Sequence, residues 1–288
     1  MIKTENLTHL YSPKTPFEMV SLDNVNIEIK KGEYIGLIGH TGSGKSTLLQ
    51  HFNGLLKPTS GKVYVDGEDI WEKPKEIGKI RCKVGMVFQY PEHQLFEESV
   101  YKDIAFGPAN MGLSEEEIKQ RVFEAMDFVG LEHEMAIKSP FEISGGQKRK
   151  AAIAGVISMK SDILILDEPT AGLDPGSRRE ILEKINEYHK TRNATIILVS
   201  HSMEDVAEFA DRILVMNQGG VYMFDTVKEV FRRAGELKEI GLDIPQVTQI
   251  FSDLKKRGTP LGDGVYTVDG AKREIMRALE QKRGEGRC

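Results

Sequence analysis

Tyr34-Ile35-Gly36-Leu37-Ile38-Gly39-His40-Thr41-Gly42-Ser43-Gly44-Lys45-Ser46-Thr47 runs from a short apolar strand, through a glycine-rich loop, into the start of a helix. The span Gly39 to Ser46 fits GxxxxGK(S/T), a phosphate-binding loop. Its glycines let backbone N–H groups close around phosphate oxygens, and the helix opening near Lys45 points its positive end at them. In such a loop Lys45 neutralises β- and γ-phosphate charge and the Ser46 hydroxyl ligates Mg²⁺; Thr47 completes the ATP-contacting set. Chance produces this four-position pattern in a chain this long on the order of 1% of the time. Its placement between a strand and a helix lowers that further. The plain alternative is a flexible glycine-rich turn.

Outward from this loop, strands and helices alternate. Val25 to Ile29 alternates apolar with polar residues, as a strand with one buried face does. Lys31-Gly32-Glu33 turns it into the Tyr34 run. Ser46 to Leu56 continues as a helix, and Gly61 to Val65 and Val84 to Phe88 read as strands. From Ser114 to Val129 the spacing is helical, with Ser114 as N-cap and Glu117 completing a capping-box pattern. Ile163 to Leu166 and Thr195 to Val199 are continuous apolar runs, which suit strands buried in a parallel sheet. The whole predicts an α/β fold: a P-loop NTPase core on a mostly parallel, doubly wound sheet. The largely helical stretch 92–161 interrupts it as an inserted subdomain. After Asp225 the pattern changes to a helix around Val227 to Glu239, a Pro245-led helix, and a short piece from Gly264 to Val268. The expected division is a core domain, 1–227, and a small C-terminal domain, 228–288, available for dimerisation and ending in a frayed charged tail from Gln281.

Two further elements carry chemistry. In Ile163-Leu164-Ile165-Leu166-Asp167-Glu168, four apolar residues bury a strand and two acids emerge at its C-terminal end, where parallel sheets bind ligands. Asp167 is placed to hold Mg²⁺ through water and Glu168 to polarise an attacking water as general base. Alone, they would read better as two acids at a solvent-exposed strand end, but they share the chain with the P-loop. Ser144-Gly145-Gly146-Gln147 opens the helix Lys148 to Ser158 and makes a second anion-binding helix start. One nucleotide can engage both helix starts if they come from two protomers. The alternative is that Ser144 caps its own helix.

The order GHTGSGKST, Gln89, ISGGQ, ILILDEPT, AGLD and His201 resembles the ATP-binding-cassette ATPases over roughly residues 1 to 225. That resemblance implies a helical subdomain carrying the signature ISGGQ. Gln89 matches the residue that contacts Mg²⁺ and senses a transmembrane partner. Asp174, in Ala171-Gly172-Leu173-Asp174, matches a loop crossing the dimer interface, and His201 matches the histidine that touches the γ-phosphate. Read without the family, His201 is an ordinary surface or core histidine. An N-terminal aromatic stacks on adenine in this family; Tyr11 fits, with Phe17 nearby in a longer Ser12 to Met19 segment, and the alternative is a strand tyrosine packing in the sheet. Ile143 stands where leucine is usual, a volume-conserving change.

Phe88 to Phe96, Asp103 to Pro108, SGGQKRK at Ser144 to Lys150 and AIAGVIS at Ala152 to Ser158 are similar to the ATPases of energy-coupling-factor importers, and within them to the second of two paralogous types. The resemblance implies uptake of B vitamins or cobalt and nickel ions. It also implies a second ATPase protomer (self or paralogue), a transmembrane coupling protein and a membrane substrate-binding protein, with this chain peripheral on the cytoplasmic face of the membrane. A non-transport regulatory cassette ATPase, or one from another transporter class, is the alternative.

Other classes fit less well. A chromosome-structure or repair ATPase needs a long coiled coil between the P-loop and Ser144, and sustained heptads are missing there. A translation factor carries two cassettes, and a P-loop kinase or GTPase lacks SGGQ. The formal charge of −5 gives no reason to expect nucleic acid as a partner. From Lys228 onward the net is +3, against −8 for the rest, a mild bias typical of a solvated face. Two cysteines, Cys82 and Cys288, make no disulfide framework and suit a reducing cytosol. The longest apolar run, Ala151 to Met159, is about half of what a membrane-spanning helix needs.

Overall fold

The computed structural model describes residues 1–259, 261–262 and 264–285; Cys288 lies outside them. Ten strands occur among the described residues: β1 (Ile2–Tyr11), β2 (Met19–Ile29), β3 (Tyr34–Gly39), β4 (Ser60–Val65), β5 (Glu68–Asp69), β6 (Val84–Val87), β7 (Ile163–Asp167), β8 (Thr195–Val199), β9 (Arg212–Asn217) and β10 (Gly220–Thr226). Six form the main sheet in the order β10-β9-β3-β8-β7-β6. Its pairings are parallel except at β10, which returns antiparallel on the edge. A second, antiparallel sheet runs β2-β1-β4-β5.

The continuous apolar runs are explained by burial on both faces. Along β7, Ile163 and Ile165 join the core under the antiparallel sheet, whereas Leu164 and Leu166 join the core under the helices. β8 divides the same way, with Ile197 and Val199 on one side and Ile196 and Leu198 on the other. A strand with no solvent face has no polar positions to alternate.

The helices are α1 (Lys45–Phe52), α2 (Ile77–Lys83), α3 (Val100–Asn110), α4 (Glu115–Val129), α5 (Gly145–Ile157), α6 (Pro175–Arg192), α7 (Met203–Phe209), α8 (Val227–Arg232), α9 (Ala234–Glu239), α10 (Gln246–Lys256) and α11 (Val268–Glu285). α4 carries the expected capping box between Ser114 and Glu117. α3, α4 and α5 share one apolar core with the main sheet through Ile104, Met126 and Ala154.

Several boundaries differ from the sequence reading. α1 stops at Phe52 rather than Leu56, because the Asn53 side chain donates to the Val84 carbonyl and Gly54 turns left-handed. The helix expected from Val227 to Glu239 breaks at Arg233 into α8 and α9. The tail expected to fray from Gln281 is helical through Glu285. β1 escaped the sequence reading because its alternation slips. Asn6 has φ 48° and the pairing register shifts between Thr4 and Leu7, so buried positions fall at Ile2, Thr4, Leu7 and His9. No helix of the described residues is long and apolar enough to cross a membrane.

Candidate nucleotide site

Neighbouring parallel strands end side by side, and their C-terminal ends deliver the predicted residues to one edge. The loop from Gly39 follows β3, His201 follows β8, Asp167 closes β7 with Glu168 next, and Gln89 follows β6. Leu37 and Asp167 both lie in register with Val199, which sets loop and acids at one level.

The loop is held from behind by tight backbone packing. Gly44 has φ 97°, and a Cβ there would lie 2.5 Å from the Ser21 carbonyl oxygen. Gly42, at φ 80°, faces open space. Lys45 is buried, and its ammonium donates to the carbonyls of Gly39 (2.7 Å) and His40 (2.9 Å). An ammonium has three N–H bonds, so one remains for a phosphate oxygen. Burial lowers the Lys45 pKa, against the opposing charges of Glu168 and Asp167. The Ser43 hydroxyl is buried without a partner in the loop wall, an orphan polar atom of the kind ligands satisfy.

The Ser46 hydroxyl donates to Asp167 at 2.9 Å. Asp167 is buried; desolvation raises its carboxyl pKa, and the Ser46 bond works in the other direction. Glu168 adopts φ 51°, a left-handed conformation that costs a non-glycine residue of order 1 kcal/mol. Both of its carboxylate oxygens are engaged: Gln89 Nε2 donates to one at 3.1 Å, and His201 Nε2 lies 2.8 Å from the other. Three sequence-predicted residues, Ser46, Gln89 and His201, thus meet around two adjacent acids.

Tyr11 also reaches the loop. Its hydroxyl lies 3.2 Å from Thr47 Oγ1, which is 2.8 Å from Ser21 Oγ, so the Thr47 hydroxyl faces the antiparallel sheet. Phe17 projects into solvent, 83% exposed.

Ser144 to Gln147 lie elsewhere. Among the described residues, no hydrogen bond or ion pair joins them to the loop, Asp167, Glu168 or His201. Ser144 Oγ accepts from Gln147 N–H, and Gln147 Oε1 accepts from Ser144 N–H, so the serine caps its own helix. A Cβ at Gly145 or Gly146 would meet nothing within 4 Å. Asp174 caps α6, accepting from Gly176 (3.0 Å) and Ser177 (3.1 Å). The Ser177 hydroxyl and these backbone N–H groups hold its carboxyl below the ordinary range.

Two features were missed from sequence. Arg149, buried in α5, donates to Glu92 through Nε at 2.8 Å and to the Ala171 carbonyl at 2.6 Å. It thereby ties the turn after Gln89, the SGGQ helix and the AGLD loop together. An arginine two residues past SGGQ was the available signal, but its partner is 57 residues away. The other feature is the Gln218-Gly219 turn between β9 and β10. Gly219 N–H donates to Ser43 O at 3.2 Å, and Gly219 O accepts from Asp23 N–H at 2.9 Å, so this turn braces the loop.

Fold and site together define a P-loop ATPase of the ATP-binding-cassette class. A family profile described as ABC transporter matches residues 22–171. The energy-coupling factor transporter ATP-binding protein EcfA2 of Caldanaerobacter subterraneus subsp. tengcongensis is 56% identical over 278 residues, 96% of this chain and 97% of its own. The protein of that name from Clostridioides difficile is 53% identical over 289 residues, 100% of this chain and 99% of its own. Among solved structures, cbiO1 from Clostridium perfringens, part of the ABC transporter complex cbiONQ, superposes with a TM-score of 0.73. It is 41% identical and covers 87% of this chain and 98% of that one. A dimeric ATP-binding cassette in a post-hydrolysis state, bound to ADP and Pi, superposes with a TM-score of 0.72 at 30% identity, covering 79% and 99%. The chain belongs to the ATP-binding-cassette family and is an ATP-hydrolysing subunit of the energy-coupling-factor type.

Proposed function

We propose that two cassettes close face to face on ATP, each supplying the other's missing wall, and that this closure drives a membrane importer of vitamins or transition-metal ions. In this reading residues 39–47 hold the phosphates, Tyr11 stacks on adenine, Glu168 is the general base, and Gln89 and His201 position it. Ser144, Gly145, Gly146, Gln147 and Asp174 contact the nucleotide of the partner protomer, which is a second copy or a paralogue. The observation that carries the shared site is that the SGGQ helix start is exposed, open at both glycines and unconnected to its own P-loop. Residues 1–227 act as the cassette, with 92–161 as its helical insert, and 228–288 as an appended unit that supports dimerisation.

The donors fit Mg²⁺. The Ser46 hydroxyl, the Asp167 carboxylate and the Gln89 amide oxygen are hard ligands, and the 2.9 Å contact between Ser46 and Asp167 converges two of them. Bound there, Mg²⁺ would neutralise charge on the phosphates. The chain's own residues orient water: Gln89 and His201 fix the Glu168 carboxylate so that it can take a proton.

Coupling to a transmembrane partner at the cytoplasmic membrane face is supported by a groove of roughly 180 Å³ beside Gln89, lined by Leu95, Phe96, Phe106 and Met159. Phe96 and Phe106 meet edge to face there, 64% and 46% exposed. The test of the shared site mixes a Lys45→Ala chain with a Ser144→Arg chain, each inactive alone. Mixed pairs retain one intact composite site, so ATP hydrolysis should return. No recovery with a second copy or with the paralogue, together with an ATP-bound Glu168→Gln protein that stays monomeric by light scattering, would defeat the proposal.

A further inference from the structure

The segment from Leu237 to Gln246 touches the site from behind at two points. His40 Nε2 donates to the Ile240 carbonyl. A carbonyl only accepts, so this ring nitrogen carries the proton. Gly241, next in the turn, has φ 70°, and a Cβ there would sit 3.1 Å from His40 Cε1 and 3.5 Å from Nε2. Five residues on, the Gln246 N–H donates to Glu204 Oε1 at 3.1 Å. Glu204 lies in the first turn of α7, three residues beyond His201.

Apolar packing joins the same two places. Leu237, Leu242 and Ile244 are buried in one cluster with Ile38, on β3 just before the phosphate loop, and with Met203 and Val206 on α7. One short segment therefore contacts the element entering the Lys45 loop and the element leaving the His201 loop, with a polar bond at each. Those loops sit on adjacent strands, but among the described residues no hydrogen bond or ion pair joins His40 to His201.

We infer that residues 237–246 form a brace that fixes the Lys45 loop relative to the His201 loop, so that the chain beyond β10 sets ATP affinity and turnover. His40, Gly241, Gln246 and Glu204 are its positioning residues. The inference rests on the reading of Lys45 and His201 as nucleotide-site residues. A displacement of α9 or α10 moves both loops together or pulls them apart, which gives the C-terminal unit a mechanical route to the phosphates.

The experiment uses the full chain, with ATP-analogue binding, steady-state hydrolysis and urea unfolding measured in parallel. Gln246→Pro deletes one N–H at the first position of α10, where proline is well accepted, and leaves the packed cluster alone. Gly241→Ala crowds the His40 ring, and His40→Ala removes the bond. Each should weaken ATP binding or slow turnover by about three- to tenfold, the worth of one hydrogen bond. His40→Gln puts an amide N–H near the Nε2 position and should recover part of what His40→Ala loses. A purely structural role would lower the unfolding midpoint without changing Kd or kcat. The brace is overturned if Gln246→Pro and Gly241→Ala bind and hydrolyse ATP as the parent does, or if His40→Gln is as impaired as His40→Ala. Should Gly241→Ala not fold, Gln246→Pro decides. Lys45→Ala runs alongside: normal ATP binding in that variant would remove the site reading itself, whereas lost binding there with unchanged brace variants would overturn only the brace.

Discussion

Arg149→Ala is the substitution with the most to reveal about how the ATP site is held together. Arg149 is 4% exposed, and its guanidinium spends its donors on Glu92 and the Ala171 carbonyl. Truncation leaves a carboxylate with a side chain only 16% exposed, and a backbone carbonyl, without their partner. Removing one member of a buried ion pair costs about 3–5 kcal/mol, a large share of the roughly 5–15 kcal/mol that holds a typical domain. The pH dependence gives a second handle. Burial pushes the Glu92 carboxyl up, but the Arg149 hydrogen bond and charge override it and hold the group below its ordinary value. A lowered folded-state value adds stability above the unfolded pKa and loses it as pH falls through the folded value. Without Arg149, burial is opposed only by the Glu92 backbone hydrogen bond and the His93 charge, so the variant is penalised most at neutral pH and relieved as Glu92 takes a proton. The stability gap to wild type should therefore narrow on acidification. Urea unfolding followed by circular dichroism at pH 7 and near pH 4.5 measures both effects. Replacing both residues by methionine should recover much of the loss, since no charge is then stranded. A single variant within about 1 kcal/mol of wild type, or a double variant no better than the single, would refute the reasoning.

Three further outcomes follow from the site. Lys45→Ala should abolish tight ATP binding, read by equilibrium titration with a fluorescent nucleotide; unchanged affinity would mean that the loop is not the phosphate site. Glu168→Gln keeps the shape but loses basicity, so hydrolysis should drop by roughly 10² or more with ATP still bound, and near-normal turnover would exclude Glu168 as base. His51, fully buried on α1 with both ring nitrogens unpartnered, is lowered from 6.5 to about 4, first by burial and then by its neighbour His9. Below pH 6.5 the unfolded chain takes that proton first, so stability should be lost between about pH 6.5 and 4, by about 3 kcal/mol in full. His51→Leu should flatten that slope in pH-dependent urea unfolding, and an unaltered slope would show that another group titrates.

The phosphate loop was legible in the sequence because its chemistry is local. Consecutive N–H groups, glycines that permit left-handed backbone and a lysine at the helix start act within nine residues, so no distant partner is needed to recognise them. Asp167 and Glu168 were legible for a related reason: beside a P-loop and SGGQ in the same chain, an apolar run that ends in two acids reads as a buried strand delivering them to its tip. The antiparallel β1 was hidden, since the irregularity at Asn6 breaks the alternation on which a strand is recognised. What the tertiary structure alone decided is adjacency. It set β3, β8, β7 and β6 side by side, so that Gln89 and His201 close on Glu168 from opposite flanks. It brought Glu92 to Arg149 and Ile240 to His40, and the second pair is 200 residues apart in the chain. It also turned the Ser144 helix start into solvent, away from its own P-loop. These pairings depend on strand order and helix packing, which are fixed by the burial of many residues at once and leave no mark on the few that meet.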